Sequence, residues 1–387
     1  MYQATKLLLL IIFLLISCTS QKYSTTSVSQ KEDAAVDISH ATKLLMEKQK
    51  MSSNQVLLLL PLSGPHGEIG NSLLKACILS ARESHDNQIN FYVVDTANPN
   101  LEKHTLCEKF NSKNLKAIVG PIFFYEARQL GALFPNIPMF TFSNNLNVNN
   151  SHVFSCGISP LDEIRAIFAY AKRRRLYDFL VLLPENELGN QLQQHINQEA
   201  SQSHFNDFGE VEIIRYRSIS SQNIRNFIKN SKKKAVFLVD PIISPKSLAD
   251  IHVFTLSSSV FAHQERWQGA YFAFSNEQSL KKFKDKYEKA YGSTPGTLEA
   301  IGYDICNLLY DNVINGISER FFHVEHKGSL GTFFIKKNNG LMRNFCIKQV
   351  SDDSNFTDSD DDREENPPNQ SIHSSKKQGF NGLESLK

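Results

Sequence analysis

The sequence carries almost no excess charge of either sign, because its 42 Lys and Arg residues are nearly balanced by 40 Asp and Glu residues. A formal net charge of +2 provides no broad cationic field that would attract nucleic acid or anionic lipid, and we expect no nucleic-acid partner. Long hydrophobic runs are scarce as well. The apolar block of residues 7–16 is about half of the roughly 20 residues that span a bilayer, which excludes a polytopic membrane protein.

Sequence motifs for catalysis are also lacking. The chain contains no GxSxG, HExxH or GxxxxGK[ST] motif, and its Gly-rich turn near Gly64 does not have the GxGxxG spacing of a dinucleotide site. His323 and His326 are the nearest candidates for metal ligands, but with no third ligand close in sequence they are more typical of solvated surface. We therefore expect no enzymatic activity, no cofactor and no bound metal.

Cysteines are few and widely spaced. Five of the six lie between Cys77 and Cys346, without a CxxC or other metal-binding spacing. Their odd number and wide spacing argue against a dense disulfide framework. We expect mostly buried free thiols.

The amino terminus has the three parts of a secretory signal: a short segment ending in Lys6, the apolar residues 7–16 and the small polar residues 17–20. Residues 15–18, Leu-Ile-Ser-Cys, resemble the bacterial lipobox, in which the thiol is acylated and the preceding bond is cleaved. This resemblance implies a signal peptide of residues 1–17 and lipidation of Cys18, which anchors a chain to a membrane without spanning it. The alternative is a plain secretory signal with a chance cysteine.

Thr19 and Ser20 directly follow Cys18, with no Asp at either position, and by resemblance to the sorting pattern of enteric bacteria this favours the outer membrane. The expected location is thus the bacterial cell envelope, with the chain facing the periplasm. Residues 18–54 are rich in Ser, Thr, Gln and Lys and predict a flexible tether behind the lipidated cysteine.

Residues 351–387 begin with a run of Asp and Glu and continue with Pro, Ser and Lys, which predicts an acidic disordered tail. A calcium-binding loop is the sharper alternative. However, the acidic run lacks the glycine and the spaced carboxylates that such a loop needs.

Between residues 55 and 350, short apolar runs alternate with amphipathic segments, as is typical of repeated βα units around a parallel sheet. The pattern predicts an α/β fold with two Rossmann-like parallel-sheet lobes and a cleft between them. We expect the first lobe to comprise about residues 55–158 plus a later crossover segment. The second lobe would comprise about residues 159–265 plus elements near the carboxyl end.

Two local signals within this region are specific. Ser159, Pro160 and Asp162 stand at the N-cap, first and third helical positions of a helix that we expect to end near Arg174. A hairpin is predicted for residues 332–347, in which two apolar strands, 332–335 and 341–347, flank an Asn-Asn-Gly turn.

The turn after the first strand is a candidate binding site. Residues 61–67 lead from a buried strand into a helix, and backbone N–H groups at a helix amino terminus favour a carboxylate or phosphate. The candidate ligand-binding residues are Ser63, Gly64 and Gly67. The alternative is a Pro/Gly turn that only reverses the chain.

Two more loops should face the same cleft, because ligands of open parallel sheets bind beyond the carboxyl ends of the strands. One loop contains Ser143, Asn144 and Asn145, although Asn and Ser also simply make good turns. The other contains Glu187 and Leu188.

Several of these segments recur in a known order and spacing: residues 58–65 (LLLPLSGP), 119–121 (VGP), 142–144 (FSN) and 302–304 (GYD). In them the chain resembles the type I periplasmic-binding-protein fold of the leucine-binding superfamily, over residues 55–350. The closest pattern is that of penicillin-binding-protein activator lipoproteins. This resemblance implies a non-enzymatic regulator of peptidoglycan synthesis whose partner is a peptidoglycan synthase.

The alternative that the same resemblance implies is the substrate-binding lipoprotein of an ABC importer, with an amino acid or similar small anion as ligand and an ABC permease as partner. Amino-acid-binding relatives carry small hydroxyl residues after the third strand, where this chain has Phe123 and Phe124. Leu188 replaces an aromatic residue that is frequent in relatives, and Glu187 is only a distant candidate for an amine contact. We keep Phe124 as a cleft residue and favour the activator.

Overall fold

The computed structural model describes a large central part of the chain. The described residues are 54–84, 89–110, 114–145, 152–201, 211–217, 220–248, 250–312, 321–322, 324–336, 340–351 and 356–358. The expected signal peptide, Cys18, most of the tether, His323 and the tail beyond residue 358 lie outside them.

The strands within the described residues are β1 Asn54–Leu60, β2 Ile89–Asp95, β3 Leu115–Val119, β4 Met139–Thr141, β5 Val153–Ser155, β6 Phe179–Pro184, β7 Val211–Tyr216, β8 Ala235–Leu238, β9 His252–Thr255, β10 Tyr271–Phe274, β11 His326–Gly328, β12 Gly331–Lys336, β13 Gly340–Arg343, β14 Cys346–Val350 and β15 Phe356–Asp358. The helices are α1 Gly67–Glu83, α2 Lys103–Phe110, α3 Phe124–Leu133, α4 Pro160–Arg173, α5 Glu187–Ser201, α6 Ser221–Ser231, α7 Ser257–Ala262, α8 Glu277–Tyr291 and α9 Thr297–Asn312. Among these, no helix is both long and apolar enough to cross a membrane.

Two sheets form the centres of two lobes, as the sequence predicts. The first is a five-stranded parallel sheet in the order β2-β1-β3-β4-β5. The second has the order β15-β14-β10-β9-β8-β6-β7, in which the five strands β6 to β10 are parallel and β14 and β15 are antiparallel additions at one edge. Residues 56–60 on β1 are fully buried, because helices cover both faces of a parallel sheet.

The hairpin differs from its prediction. β12 and β13 pair antiparallel, with Lys336 opposite Gly340, but the second predicted strand is interrupted after Arg343. β13 remains in a small sheet with β11 and β12, whereas β14 pairs with β10 in the large second sheet. The prediction of one strand over residues 341–347 is therefore wrong. The first part of the apolar run joins the small sheet, and the second part joins the large second sheet.

The predicted disorder of the tail is wrong for three residues. Phe356–Asp358 form β15, which pairs antiparallel with β14 so that Lys348 lies opposite Asp358. The cysteines agree better with expectation: Cys77, Cys156 and Cys306 are buried, and Cys107 and Cys346 are half-buried.

One apolar core connects the two lobes. It includes Leu58 on β1 and Leu182 on β6, together with Phe283 on α8 and Ile305 on α9. Although α8 and α9 follow the second sheet in the chain, both pack on α1 of the first lobe. The first lobe is thus built from two separate stretches of sequence.

Helix α4 begins as predicted. Ser159 Oγ accepts a hydrogen bond from Leu161 N at 3.2 Å and Pro160 takes the first helical position. Asp162, at the third position, has a different partner: its Oδ2 accepts from the backbone N of Arg343 on β13 at 3.1 Å. The start of the second lobe is thereby attached to the hairpin.

Candidate functional site

Both lobes arrange their parallel strands in the same way around one switch point. In the first lobe β1 lies between β2 and β3, and in the second β6 lies between β7 and β8. In each lobe the two neighbours lie on opposite sides of the central strand. This reversal of strand order opens a crevice at the carboxyl ends of β1 and β6. The candidate site is therefore the space that faces the ends of β1 and β3 on one lobe and of β6 and β8 on the other.

The turn after β1 is satisfied from within the chain. Asp95, the last residue of β2, accepts from Leu62 N at 2.8 Å and from Ala97 N at 2.9 Å. Burial raises the pKa of Asp95, but hydrogen bonds from Ser63, Ala97 and Leu62 outweigh it, so that the pKa of this carboxyl is lowered. A native carboxylate thus lies on the turn where we expected a ligand carboxylate or phosphate.

The remaining residues of this turn have structural tasks. Gly64 has a φ of 66°, a conformation that favours glycine. Gly67 is buried at the start of α1, where Asn71 Nδ2 donates to its carbonyl oxygen at 2.7 Å and to that of Leu62 at 3.0 Å. Ser63 is exposed at the rim.

Aromatic side chains form an exposed cluster beside this turn. The rings of His66 and Phe123 are 4.8 Å apart, and Phe123 stacks on Tyr125 at 5.7 Å with an interplanar angle of 9°. Tyr125 is 59% exposed and Ile69, on the first turn of α1, is 40% exposed. We call His66, Ile69, Phe123 and Tyr125 the aromatic lip. Phe124 is half-buried at the start of α3, with the Arg128 guanidinium 5.7 Å from its ring.

Three of the sequence-predicted residues meet in one cavity between the lobes. Asn144 and Asn145 from the first lobe face Leu188 on the first turn of α5. The volume of the cavity is about 180 Å³. Its full lining within the described residues is Asn144, Asn145, Pro160, Leu188, Gln191, Gln194 and His195.

The other predicted residues lie outside this lining. Ser143 is buried beneath it, and its Oγ accepts from Asn145 N at 3.1 Å. Glu187 is exposed and its Oε1 accepts from Gln191 Nε2 at 3.0 Å. Ser63, Gly64, Gly67 and Phe124 surround the separate turn and lip of the first lobe.

Gln191, Gln194 and His195 were not predicted as lining residues. A signal was present for two of them, because Gln191 and His195 follow Leu188 by three and seven positions and so lie on the same side of the helix, and Gln194 follows Gln191 by three positions. Burial lowers the pKa of His195, and the charge of Arg165 lowers it further. The imidazole is therefore kept neutral at pH 7, and the cavity is polar but uncharged.

Buried charges lie beside the cavity, where the lobes join. Arg343 Nη1 donates to Gly157 O at 3.3 Å, and Asp304 Oδ1 accepts from both N and Oγ of Ser329 at 2.7 Å. Burial raises the pKa of Asp162 and that of Asp304 to about 6, against the opposing charge of Arg343. Within the described residues the Nε and Nη2 of Arg343 have no hydrogen-bond partner.

Glu163 adds a fourth buried ionisable group. Its carboxylate accepts from Ser257 N at 2.6 Å and from Ser257 Oγ at 3.0 Å, which attaches α4 to α7. Burial raises the pKa of Glu163 to about 8, although these hydrogen bonds oppose the rise. No group of three or more His, Cys, Asp and Glu side chains in the described part of the chain is placed to hold a metal ion.

Comparison with known proteins identifies the family. Residues 22–235 match the family described as LppC putative lipoprotein, which is more than half of the chain. The chain belongs to the LppC family. No protein with a curated description matches it in sequence.

Membership of the LppC family does not by itself establish the fold, but similarity to solved structures does. A putative branched-chain amino acid ABC transporter from Rhodospirillum rubrum matches with a TM-score of 0.64 and 13% identity, over 80% of this chain and 100% of that one. The C-domain of LpoA from Haemophilus influenzae, described as a regulator of PBP1A, matches with a TM-score of 0.59 and 18% identity, over 79% and 100%. The leucine-binding protein LivK from Thermotoga maritima matches with a TM-score of 0.51 and 17% identity, over 80% and 99%.

These similarities confirm the predicted type I periplasmic-binding fold with two α/β lobes. They include a putative ABC transporter, a leucine-binding protein and a regulator of PBP1A on the same scaffold. The fold is therefore compatible with both functions, and the chemistry of the site has to distinguish them.

Proposed function

We propose that this LppC-family chain is a lipid-anchored, non-enzymatic regulator of peptidoglycan synthesis that acts by contact with a penicillin-binding protein. Family membership supports the lipid anchor, for which Cys18 is the expected site and the outer membrane, facing the periplasm, the expected location. The LpoA C-domain that shares the fold is described as a regulator of PBP1A, which supports the same class of partner here. Regulation by contact needs no reacting group.

The uncharged cavity between the lobes carries this proposal. A free amino acid brings a carboxylate and an ammonium group, and burying either one without an opposite charge is costly. The described lining contains two Asn, two Gln, one neutral His and two apolar residues, but no carboxylate, Lys or Arg. Its volume of about 180 Å³ is also below the roughly 300–1,000 Å³ of usual ligand sites.

The turn after β1 supports the proposal independently. Asp95 already occupies the backbone N–H group of Leu62 at 2.8 Å. A ligand carboxylate at the same turn would have to compete with the carboxylate of Asp95. The hydrogen bonds of Asp95 favour its charged form. The first lobe is thus poorly prepared for a small anion.

The aromatic lip is the contact surface that we favour. Exposed Tyr and Phe side chains are enriched at protein interfaces, because they bury large apolar areas with little loss of side-chain freedom. Phe123 and Tyr125 are stacked before any partner arrives. Little ordering would then be needed when a protein covers them.

The alternative function is that of a substrate-binding lipoprotein of an ABC importer, which the Rhodospirillum rubrum match favours. The lobes of such a protein close on a small ligand. A thermal-shift screen of the mature chain against amino acids, small carboxylates and muropeptide fragments separates the two functions. A ligand at 100 times its dissociation constant adds about 2.7 kcal/mol to the stability.

We expect no shift with any free amino acid, and we expect the chain to co-purify with a peptidoglycan synthase and to raise its rate of glycan polymerisation. A shift with one amino acid would support the importer and contradict our proposal. The absence of both a shift and an effect on the synthase would exclude both functions.

Variants at the lip localise the contact. Tyr125→Ala should weaken binding to the synthase at least tenfold if the lip is central to the interface. Phe261→Ala is the matched control, because Phe261 is also an exposed aromatic residue, 47% exposed, but lies on α7 of the second lobe. Equal loss of binding in both variants would contradict a specific role of the lip.

A further inference from the structure

Two cysteines from distant parts of the chain lie in direct contact inside the first lobe. Cys77 on α1 and Cys306 on α9 are 1% and 0% exposed, and their Sγ atoms are 2.6 Å apart. Non-bonded carbon atoms pack at about 3.5–4.0 Å, and sulfur is larger than carbon. The two sulfur atoms are thus closer than a non-bonded contact and within about 0.6 Å of the bonded distance of about 2.05 Å.

The surrounding contacts show that the two helices approach closely along their length. Ser80 Oγ donates to Asn307 Oδ1 at 2.7 Å, one turn beyond the cysteines. A Cβ atom at Gly302 would lie 3.0 Å from Leu73 Cδ2, so the absence of a side chain at that position favours the close approach of the helices. The sulfur contact therefore belongs to a continuous helix interface.

We propose that Cys77 and Cys306 form a disulfide bond in the exported protein. One S–S bond replaces two S–H bonds, and the two protons and two electrons pass to the disulfide of a thiol oxidoreductase, which is reduced to a dithiol. Disulfides form and persist in the oxidising bacterial envelope, and the inference therefore rests on the envelope location that belongs to the proposed function. The other described cysteines are left as thiols, with Cys107 donating to Leu133 O at 3.0 Å and Cys156 to Phe154 O at 3.4 Å.

The bond forms before the interface closes. The thiolate is the attacking species, and burial together with the neighbouring Cys77 raises the pKa of Cys306 well above its ordinary value. In the folded protein the thiols are therefore unreactive and shielded. Oxidation takes place while α9 docks on α1, and burial then protects the bond from reduction.

The consequence concerns the crossing of the chain between the lobes. Cys77 and Cys306 are 229 positions apart, and the whole second lobe up to β10 lies between them. A bond at this point fixes the returning helices α8 and α9 to the first lobe. The two lobes can then move relative to each other only through changes in the connecting segments that lie outside this bond.

Peptide mapping of the full-length protein, isolated from the envelope, tests the bond. The protein is denatured in excess alkylating reagent without a reductant, digested and analysed by mass spectrometry. We expect Cys77 and Cys306 to resist alkylation and to appear in one linked peptide pair, whereas Cys107, Cys156 and Cys346 are alkylated. Alkylation of both Cys77 and Cys306 would overturn the proposal and leave them a thiol hydrogen-bonded pair.

Single substitutions provide the control. In Cys77→Ser, Cys306 should become alkylated, whereas in Cys156→Ser the linked pair should remain. Unfolding followed by refolding in the presence of a reductant should lower the melting temperature of the wild-type protein but not that of Cys77→Ser. An equal effect of reductant on both proteins would also contradict the bond.

Discussion

At the scale of single residues, a carboxylate of the chain itself bonds the turn after β1, where a binding protein would bind a ligand. Asp95 ends β2 and bonds the turn that follows β1, at Leu62 N and Ala97 N. Because β1 and β2 are parallel neighbours with Leu60 opposite Asp95, the carboxylate reaches the turn without a detour. The result is a fixed first-lobe rim beside the aromatic lip.

Asp95→Ala should destabilise the protein by about 1 kcal/mol, because it leaves the partly buried N–H group of Leu62 without its acceptor, whereas the exposed N–H group of Ala97 can bond to water. The pKa of Asp95 is lowered in the folded state, so its contribution is present above the ordinary pKa of 3.8 and is lost as the pH falls through the lower folded value. Urea unfolding at pH 7 and pH 3 measures both effects.

The difference between wild-type and Asp95→Ala proteins should therefore shrink at pH 3. Asp250→Asn, at an exposed position, is the control and should change the free energy of unfolding by less than about 0.5 kcal/mol. A pH-independent difference for Asp95→Ala would contradict the role of the carboxylate charge.

At the scale of elements, the two lobes repeat one junction between strand and helix. A Cβ atom added at Gly70 on α1 would lie 1.9 Å from the carbonyl oxygen of Pro61, just after β1. One added at Gly189 on α5 would lie 1.9 Å from the carbonyl oxygen of Pro184, at the end of β6. In each lobe the helix that follows the first strand thus sits directly on the end of that strand, which sets the edge of the cleft.

Gly70→Ala and Gly189→Ala should each destabilise the protein by about 1–3 kcal/mol, because the methyl group meets backbone atoms and the helix has to move. Glu68→Ala changes an exposed position of the same turn of α1 and should cost no more than about 0.5 kcal/mol. Chemical denaturation of the three variants makes the comparison. Unchanged stability of Gly189→Ala would show that the junction can adapt.

At the scale of the whole molecule, buried charges and one shared core join the lobes. Arg343 on the hairpin donates from Nη1 to Gly157 O, just before the second lobe. Its backbone N donates to Asp162 in the first turn of α4. Asp304 belongs to the returning helix α9 and is subject to the charge of Arg343. Three separate stretches of chain therefore meet around one residue, Arg343.

Arg343→Met should destabilise the protein by about 1–3 kcal/mol, since it removes the hydrogen bond to Gly157 O and the nearby positive charge that favours the ionised forms of Asp162 and Asp304. In the wild-type protein Asp162 and Asp304 have pKa values raised from 3.8 to about 6, so the folded state binds more protons and stability falls as the pH rises through that window. Without Arg343 the pKa values of Asp162 and Asp304 in the folded state rise further, so the fall in stability continues above pH 6.

Unfolding of Arg343→Met should therefore show a larger deficit at pH 8 than at pH 5. Arg217→Met is the control, because Arg217 is 88% exposed in its ion pair with Glu185 and such a pair contributes at most about 1 kcal/mol. An equal deficit at both pH values would contradict the electrostatic role of Arg343.

The sequence by itself determined the α/β class, most helices and strands, and the cap at Ser159, because these depend on the spacing of apolar residues and on neighbours a few positions away. It also predicted Asn144, Asn145 and Leu188 as cleft residues from the ends of strands. The division of the chain into lobes and the role of these residues in binding stay predictions.

Tertiary structure alone decided which distant residues meet. The run after Gly340 is one apolar pattern in sequence, yet it is divided between two sheets because different strands are available on either side of Asn344. Asp95 at the turn, Arg343 beside Asp162 and Cys77 against Cys306 all depend on the order in which strands pair and on the return of α9 to the first lobe. Local periodicity carries no record of that order, because contacts over long separations are fixed only when the sheets and helices pack together.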